Sequence, residues 1–348
     1  MPDLREAIID PGLPIIDPHH HLWDRRTLVG ALPNPLTHPF QNVLKRSPRY
    51  LLDEILADIN SGHNIIATVF IECRAMYRAD GPDAMKPVGE VEFVNGVAAM
   101  SASGTFGPSR ICAGIVGHAD LTLGAKVGEV LDALTIAGNG RFRGIRHTVS
   151  HDPNPNVLGP LALRAPNLYM DKTFREGFAE VVKRDLTFEA WLLEPQLPEL
   201  IDLARAFPGA RIVLDHVGTP LGVASYTGKR EERFPVWREN ILALAKLPNV
   251  HVKLGGLAMP FCNFPSCLSE PRAPSTQLAK EWTPYIETCI EAFGPKRSMM
   301  ESNFPVDELS CDYATLWNAL KLIAKDASTD EKDELFFGTA NRFYRLGL

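Results

Sequence analysis

The feature that most constrains the fold of this chain is an alternation, repeated eight times, of short apolar stretches with longer amphipathic segments. The apolar stretches have the length and composition of buried strands. Strands that alternate with helices predict a parallel sheet, because parallel neighbours need a crossover connection. The predicted strands start at Ile15 and continue with residues 64–71, 111–116, 142–148, 187–193, 211–217, 250–255 and 297–302.

The amphipathic segments carry apolar residues at helical spacing, such as Leu52, Ile55 and Ile59 on one side of the first. A count of eight strands favours an α/β fold of the closed (β/α)8 TIM-barrel type over an open, doubly wound sheet. No composition shift marks a linker, so we expect one barrel domain over residues 1–348. The predicted helices cover residues 50–59, 88–101, 123–137, 171–184, 196–207, 235–247, 279–293, 313–326 and 330–344.

The connections between these elements support the barrel independently. Those from a helix to the next strand are brief, as at 208–210 and 248–249. Those from a strand to the next helix are often long, as at 150–170 and 256–278. In a barrel all the long connections lie at the C-terminal face, where active sites are built.

Composition narrows the possible partners and compartment. The chain is 45% hydrophobic and 22% charged, as an ordinary globular protein is, and its net charge of −6 argues against a nucleic-acid partner. No apolar run approaches the length of a membrane span, and residues 1–6 lack the features of a signal peptide. We therefore expect a cytoplasmic protein whose six scattered cysteines are mostly buried thiols.

A histidine cluster follows the first apolar run. In a strand, alternate side chains share a face, so His19 and His21 are expected to point the same way, with Asp17 able to orient one ring. Two imidazoles on one face suit a metal ion or an anionic oxygen. A surface histidine cluster is the alternative interpretation.

Polar residues also end most of the other predicted strands. Because parallel strands of a barrel end at one mouth, these side chains are expected to converge there. They are Glu72, His118, Arg146, His147, Asp215, His216, Lys253, Glu301, Ser302 and Asn303, with Asp307 shortly beyond.

Three of these motifs resemble the amidohydrolase superfamily. They are Asp17-x-His19-x-His21, Asp215-His216-Val217-Gly218 and the segment from Glu301 to Asp307, each after the matching strand. The resemblance is to the amidohydrolase 2 type, which includes 2-pyrone-4,6-dicarboxylate lactonase and sugar lactonases, and it extends over nearly the whole chain. It implies a barrel, hydrolysis of a cyclic ester, and a site that uses His19, His21 and His216.

The chain departs from the family pattern at its eighth strand. The family has an aspartate there as general base or metal ligand, whereas this chain has Asn303, and an amide cannot take a proton from water. Asp307 and Glu72 are the candidate replacements, and Glu301 is expected deeper in the strand. The fifth strand has no histidine and the fourth no bridging lysine, so a two-metal centre is not expected.

One divalent ion, most simply zinc, fits His19, His21 and His216 as three nitrogen ligands with an open position for water. Asn303 would be a poor fourth ligand. Some lactonases of the resembling type work without metal and use the same histidines as an oxyanion pocket. The sequence leaves both alternatives open.

Arg146 and Lys253 are cations at the mouth of an acidic protein. They are expected to bind a substrate carboxylate, with ion pairs to Glu72 or Asp215 as the alternative. His147 is a weaker substrate-binding candidate. The expected partner is a small, cyclic, anionic substrate, and a homo-oligomer stays open.

The sequence thus predicts a hydrolase that opens a carboxylate-bearing lactone or related cyclic ester. Histidines 19, 21 and 216 would polarise the carbonyl, and an acidic side chain would activate water. Two other functions stay open. One is a decarboxylase or hydratase type of lyase on the same barrel. The other is a binding protein that has lost catalysis with its aspartate.

Overall fold

A computed structural model describes residues 6–162 and 164–348. Eight parallel strands form one sheet in chain order, and each pairs with the next. A parallel bridge between His20 and Phe304 joins the first strand to the segment after the last, so the predicted TIM barrel is confirmed. The strands, β1 to β8, are Pro14–His20, Asn64–Ile71, Arg110–Gly117, Phe142–Arg146, Thr187–Ala190, Arg211–Leu214, Val250–Leu254 and Ser298–Met300.

One main helix follows each strand and packs on the outside of the barrel. These helices, α1 to α8, are Leu52–Ile59, Val88–Ala102, Val127–Ala137, Lys172–Lys183, Leu197–Ala206, Arg230–Ala245, Ser275–Phe293 and Tyr313–Ile323. Their buried faces follow the apolar spacing, and side-chain caps fix several starts, as where Asp171 accepts from the backbone N–H of Phe174 at 2.8 Å. Shorter helices cover Arg26–Val29, Asn42–Arg46, Pro155–Leu158, Thr329–Asp333 and Thr339–Tyr344.

Several strands end earlier than predicted, at the residues that carry polar side chains. The sixth ends at Leu214, because Asp215–Gly218 form a 3₁₀ turn in which His216 and Val217 have φ angles of 54° and 48°. The third helix starts only at Val127, since Gly124 (φ 60°) bends the chain before it. The predicted helix 330–344 contains a π-helical turn at Glu334–Gly338.

The C-terminal segment closes the lower end of the barrel. Phe343 and Tyr344 pack against Ile16, Val69 and Val213 of the barrel interior. The main core lies between the sheet and the surrounding helices.

All six cysteines are free, as expected. No helix among the described residues has the length and hydropathy needed to span a bilayer. The prediction about a signal peptide concerns residues 1–6, of which 1–5 lie outside the described residues.

Candidate active site

A pocket of about 330 Å³ opens at the carboxyl ends of the strands. Five of the predicted site residues line it: His21, Glu72, Arg146, His216 and Asn303. The other predicted residues are buried and do not contribute to the lining: His19, His147, Lys253 and Asp307. The residues that were predicted to meet at one pocket therefore form two layers. One layer lines the pocket, and the other lies buried beneath it.

His216 is the histidine most clearly oriented for chemistry. Its Nδ1 lies 2.7 Å from Oε1 of Glu301, and a carboxylate oxygen can only accept, so Nδ1 carries the proton and Nε2 carries the lone pair. The left-handed turn after β6 swings this ring into the pocket lining. Gly256 makes room for it, because a Cβ at that position would lie 2.3 Å from the imidazole Nδ1.

His21 is oriented by the backbone. Its Nδ1 lies 2.8 Å from the carbonyl oxygen of Ile71, which fixes the proton on Nδ1 and leaves Nε2 as the acceptor. Burial, followed by the nearby Arg146, lowers the pKa of His21 well below its usual value, so the ring is neutral at pH 7. It lies edge-on to the His19 ring, with centroids 5.0 Å apart.

His19 lies beneath the pocket, with charged groups on both ring nitrogens. Its Nδ1 is 2.9 Å from Oε2 of Glu301, and its Nε2 is 3.3 Å from Nη1 of Arg146. The consistent tautomer therefore has the proton on Nδ1 and a lone pair on Nε2 that accepts from arginine. Burial, with the nearby Lys253, lowers the pKa of His19 well below its usual value.

Glu301 is the site residue that the sequence reasoning undervalued. Its depth in the strand makes it the less favoured candidate base, but its two oxygens contact His19 and His216. Its depth allows one carboxylate to hold two imidazoles that come from the first and the sixth strand ends of the barrel. An acidic residue at the end of a predicted strand, expected to face a predicted histidine cluster, is the sequence signal that could have identified Glu301 as a partner of the histidines.

Arg146 forms an ion pair with Glu72, which was the alternative to binding a substrate carboxylate. Its Nε donates to Oε1 of Glu72 at 2.9 Å, and its Nη2 donates to the Glu72 backbone oxygen at 2.5 Å. Burial is the largest single effect on the pKa of Glu72 and raises it, but Arg146, His118 and Arg74 together outweigh burial, and the pKa is lowered. Arg146 thus presents charge to the pocket without a free bidentate fork for a substrate carboxylate.

Lys253 lies fully buried below the pocket and cannot reach a substrate. Its Nζ is 2.6 Å from Oε2 of Glu189 and 3.5 Å from Oδ1 of Asp215. Burial is the largest single effect and lowers the pKa of Lys253, but Glu189, Asp215 and Glu301 together outweigh it, so the ammonium stays charged. The prediction that it binds substrate is corrected to the internal ion pair.

Asp307 is corrected as a candidate base. Its Oδ1 accepts from Nδ2 of Asn303 at 2.8 Å, and its Oδ2 accepts from the backbone N–H of Ala258 at 3.3 Å. Burial raises the pKa of Asp307 well above its usual value. Asp307 instead orients the amide, because donation by Nδ2 turns the Asn303 oxygen away from Asp307.

Two further expectations are corrected. His147 is not a substrate ligand, because its buried ring accepts from the backbone N–H of Leu121 at 3.1 Å and holds a loop. Asp17 does not orient an imidazole, because a register shift between Asp17 and His20 breaks the strand alternation. Asp17 instead accepts from the Ser302 hydroxyl at 2.6 Å.

Three arginines of the pocket wall were not predicted: Arg25, Arg74 and Arg164. Burial, followed by the charge of Arg74, lowers the pKa of Arg164. Within the described part of the chain no carboxylate lies at ion-pair distance from any of the three, and the buried Nε of Arg164 has no hydrogen-bond partner. They lie in irregular loops, where the sequence offers no periodic signal.

Apolar side chains also line the pocket. Trp23 and Met259 line the pocket, together with Phe40 and Trp191. The lining is therefore apolar with a few cations, as is common in small-molecule sites.

The described residues contain two groups whose possible metal ligands lie within 4.8 Å of one another. The groups are His19, His216 and Glu301, and His19, Glu189 and Asp215. Ligand atoms on tetrahedral zinc, with bonds of about 2.0–2.2 Å, stand roughly 3.3–3.5 Å apart. Glu301 instead contacts both imidazoles at hydrogen-bond distance, 2.7 and 2.9 Å.

His19 belongs to both groups and has no free lone pair, since its Nε2 faces Arg146 at 3.3 Å. The ammonium of Lys253 lies among the members of the second group. The residues present therefore do not fit a zinc ion in this arrangement. The predicted ligand His21 belongs to neither group.

Comparison with known proteins agrees with the resemblance in the motifs. The chain matches the sequence profile of the amidohydrolase family over residues 16–346. The uncharacterized protein y4mH of Sinorhizobium fredii is 32% identical over 335 residues, or 95% of this chain and 98% of that protein. An L-fucono-1,5-lactonase of Burkholderia multivorans is 25% identical over 332 residues, or 95% of this chain and 96% of that enzyme.

Solved structures share the fold. An amidohydrolase of Burkholderia multivorans with bound zinc superposes with a TM-score of 0.71 at 23% identity, covering 95% of this chain and 99% of that one. A 5-carboxyvanillate decarboxylase of Novosphingobium aromaticivorans, complexed with manganese, superposes with a TM-score of 0.59 at 14% identity, covering 97% of each. At these identities the likeness concerns the barrel alone.

Proposed function

This chain belongs to the amidohydrolase family, and we propose that it hydrolyses a small lactone that carries a carboxylate. The observation that carries the proposal is the Glu301–His216 pair, which leaves Nε2 of His216 as a basic atom in the pocket lining. A carboxylate that holds Nδ1–H of a histidine orients the ring and stabilises its protonated form, as in hydrolase triads. His216 thus replaces the missing eighth-strand aspartate as the general base.

The reaction needs one proton taken from water and one returned to the ring oxygen. Nε2 of His216 takes the proton as the water oxygen bonds to the lactone carbonyl carbon. The guanidinium of Arg146 faces the oxyanion that forms. This preorganised positive charge lowers the activation free energy of the attack. When the ring C–O bond breaks, the protonated His216 gives its proton to the departing alkoxide, and a hydroxy acid results.

Asn303 and His21 hold the attacking water in this proposal. Asp307 accepts from the Asn303 amide nitrogen at 2.8 Å, which leaves the amide oxygen to accept from water. His21 lines the same wall with an acceptor Nε2. Glu72 serves by holding Arg146 rather than by taking the proton.

Arg74 and Arg164 are proposed to bind the substrate carboxylate. Charge-assisted hydrogen bonds to an anion are among the strong ones, and neither guanidinium pairs with an acid among the described residues. This distinguishes the proposed substrate from a neutral sugar lactone. The named lactonase relatives support ring opening but not the charge of the ring.

The test is proton release, followed with a pH indicator, against pairs of lactones that differ only in a ring carboxylate. Each pair is assayed with chelator-treated protein and with protein supplied with zinc. We expect opening of the carboxylated member in both preparations. Folded protein that opens neither member of any pair would contradict the proposal.

The lyase stays the second candidate because Asn303 lacks the basicity of the family aspartate. The shared barrel of the decarboxylase gives it a structural basis but no residue of its own. A decarboxylase would release carbon dioxide from an aromatic acid with no ring opening, which the same panel extended to hydroxybenzoates would detect. A binding protein would retain the carboxylated lactone without turning it over.

A further inference from the structure

Lys253 holds a position in the barrel that a metal ion would otherwise suit. Its Nζ lies 2.6 Å from Oε2 of Glu189, 3.2 Å from Nδ1 of His19 and 3.5 Å from Oδ1 of Asp215. The same three side chains form one of the two groups with possible metal ligands within 4.8 Å of one another. We propose that the ammonium of Lys253 is the resident cation of this centre and takes the place of a metal ion there.

The charge of the surroundings favours a cation at this point. Glu189, Asp215 and Glu301 are all completely buried within the barrel. Isolated carboxylates are costly to bury, so such a group needs a cation or protons. Among the described residues, Lys253 and Arg146 are the cations that contact this acidic group.

The ammonium is also enclosed from below. Nζ lies 5.6 Å from the centre of the Tyr344 ring, and the Tyr344 hydroxyl donates to Oε1 of Glu189 at 2.7 Å. Both lysine and tyrosine are fully buried. The C-terminal segment therefore seals the centre, and a second cation would stand beside the first with no water between them.

Removing the ammonium leaves a group that zinc prefers. The two carboxylates and Nδ1 of His19, which gives up its proton when it binds a metal ion, are ligands typical of zinc sites. Lys253→Ala creates this arrangement, whereas Lys253→Met removes the charge but fills the space. The proposal does not depend on the substrate, since its measurements need no turnover.

The experiment measures zinc per chain by plasma mass spectrometry, after incubation with zinc and dialysis, for wild type, Lys253→Ala and Lys253→Met. We expect wild type and Lys253→Met to retain well under one zinc per chain. Lys253→Ala is expected to retain about one, to lose it to a chelator, and to melt at a higher temperature when zinc is present. The double variant Lys253→Ala/Asp215→Ala is expected to lose this extra zinc.

Wild-type protein that retains one zinc per chain, and melts lower once the zinc is chelated, would overturn the proposal. That wild-type measurement stands even when a variant fails to fold. A folded Lys253→Ala protein without zinc would overturn it as well. Because neither readout is activity, a lactonase assay that fails leaves this result unaffected, and the reverse also holds.

Discussion

The pocket wall and the barrel interior beneath it differ in whether their charged side chains are paired. The wall presents Arg25, Arg74 and Arg164 with no acid at ion-pair distance among the described residues. The interior pairs Lys253 with Glu189 and Asp215 in complete burial. Charges that are unpaired and near water remain available to a ligand, whereas paired buried charges are fixed by their partners.

This difference separates two roles, substrate binding and internal charge pairing, which the sequence analysis could not distinguish among the polar residues at the strand ends. Arg146 joins the two regions, because it lines the pocket while its guanidinium contacts Glu72 and approaches Asp215 at 3.5 Å. A charge change should therefore affect stability in the interior and substrate binding at the wall. The predictions that follow test this division.

Loss of the interior cation should have the largest effect on stability. Lys253→Met leaves buried carboxylates without their ammonium, and breaking a buried pair costs about 3–5 kcal/mol. Arg74→Gln at the exposed wall should change the free energy of unfolding by less than about 0.5 kcal/mol. Urea unfolding of both variants checks the contrast, and similar losses would abolish the distinction between the two regions.

Loss of the proposed base should have the largest effect on turnover. His216→Asn removes Nε2 from the pocket, and kcat should fall by at least about 100-fold, the scale seen when one preorganised transition-state group is lost. The matched control is His147→Asn, a buried histidine outside the pocket lining. Near-full activity of His216→Asn, with an unchanged circular dichroism spectrum, would exclude this role.

Loss of a wall arginine should act on substrate binding alone. A hydrogen bond to a charged group is worth about 1.5–3 kcal/mol, so Arg164→Gln should raise KM for the carboxylated lactone by roughly 10- to 100-fold with little change in kcat. The uncharged analogue should be unaffected. Arg78→Gln is the control, because Arg78 pairs with Glu92 at the surface. An equal rise in KM for both lactones would argue against a carboxylate contact.

The smallest expected effect is the pH dependence of stability that comes from the buried His20. Burial lowers the pKa of His20 to about 3 from an ordinary value of 6.5, and its Nε2 contacts the Thr68 hydroxyl at 2.8 Å. Because the folded pKa is depressed, the unfolded chain binds the proton first. Stability is full above pH 6.5 and falls as the pH drops toward 3.

One pH unit below the pKa of this histidine in the unfolded chain, the free energy of unfolding is lower by about 1.4 kcal/mol. His20→Asn should remove that part of the pH dependence, as measured by chemical unfolding at pH 7.5 and pH 5.5. An identical dependence in the variant and in wild type would contradict the assignment to His20.

Much of the fold followed from the sequence because its signals are local. Strands such as Asn64–Ile71 and Val250–Leu254 agree with the prediction within one residue at their ends. Boundaries failed where the chain leaves the sheet with positive φ angles, as at His216, because turn geometry there depends on what the side chain contacts. Asp307 and His147 were predicted to contact water or substrate, but both lie buried outside the pocket lining, because burial and not residue type decides which polar groups reach the pocket.

The sequence by itself determined that this chain forms a barrel with polar strand ends at one face, since period and spacing depend on neighbours along the chain. Only the tertiary structure decided which charges pair. Lys253 and His19 are 234 positions apart, and Glu301 contacts His216 across 85. Residue type states what a side chain can bond to, but its pKa and its partner follow from distances and burial that exist only once the barrel is closed.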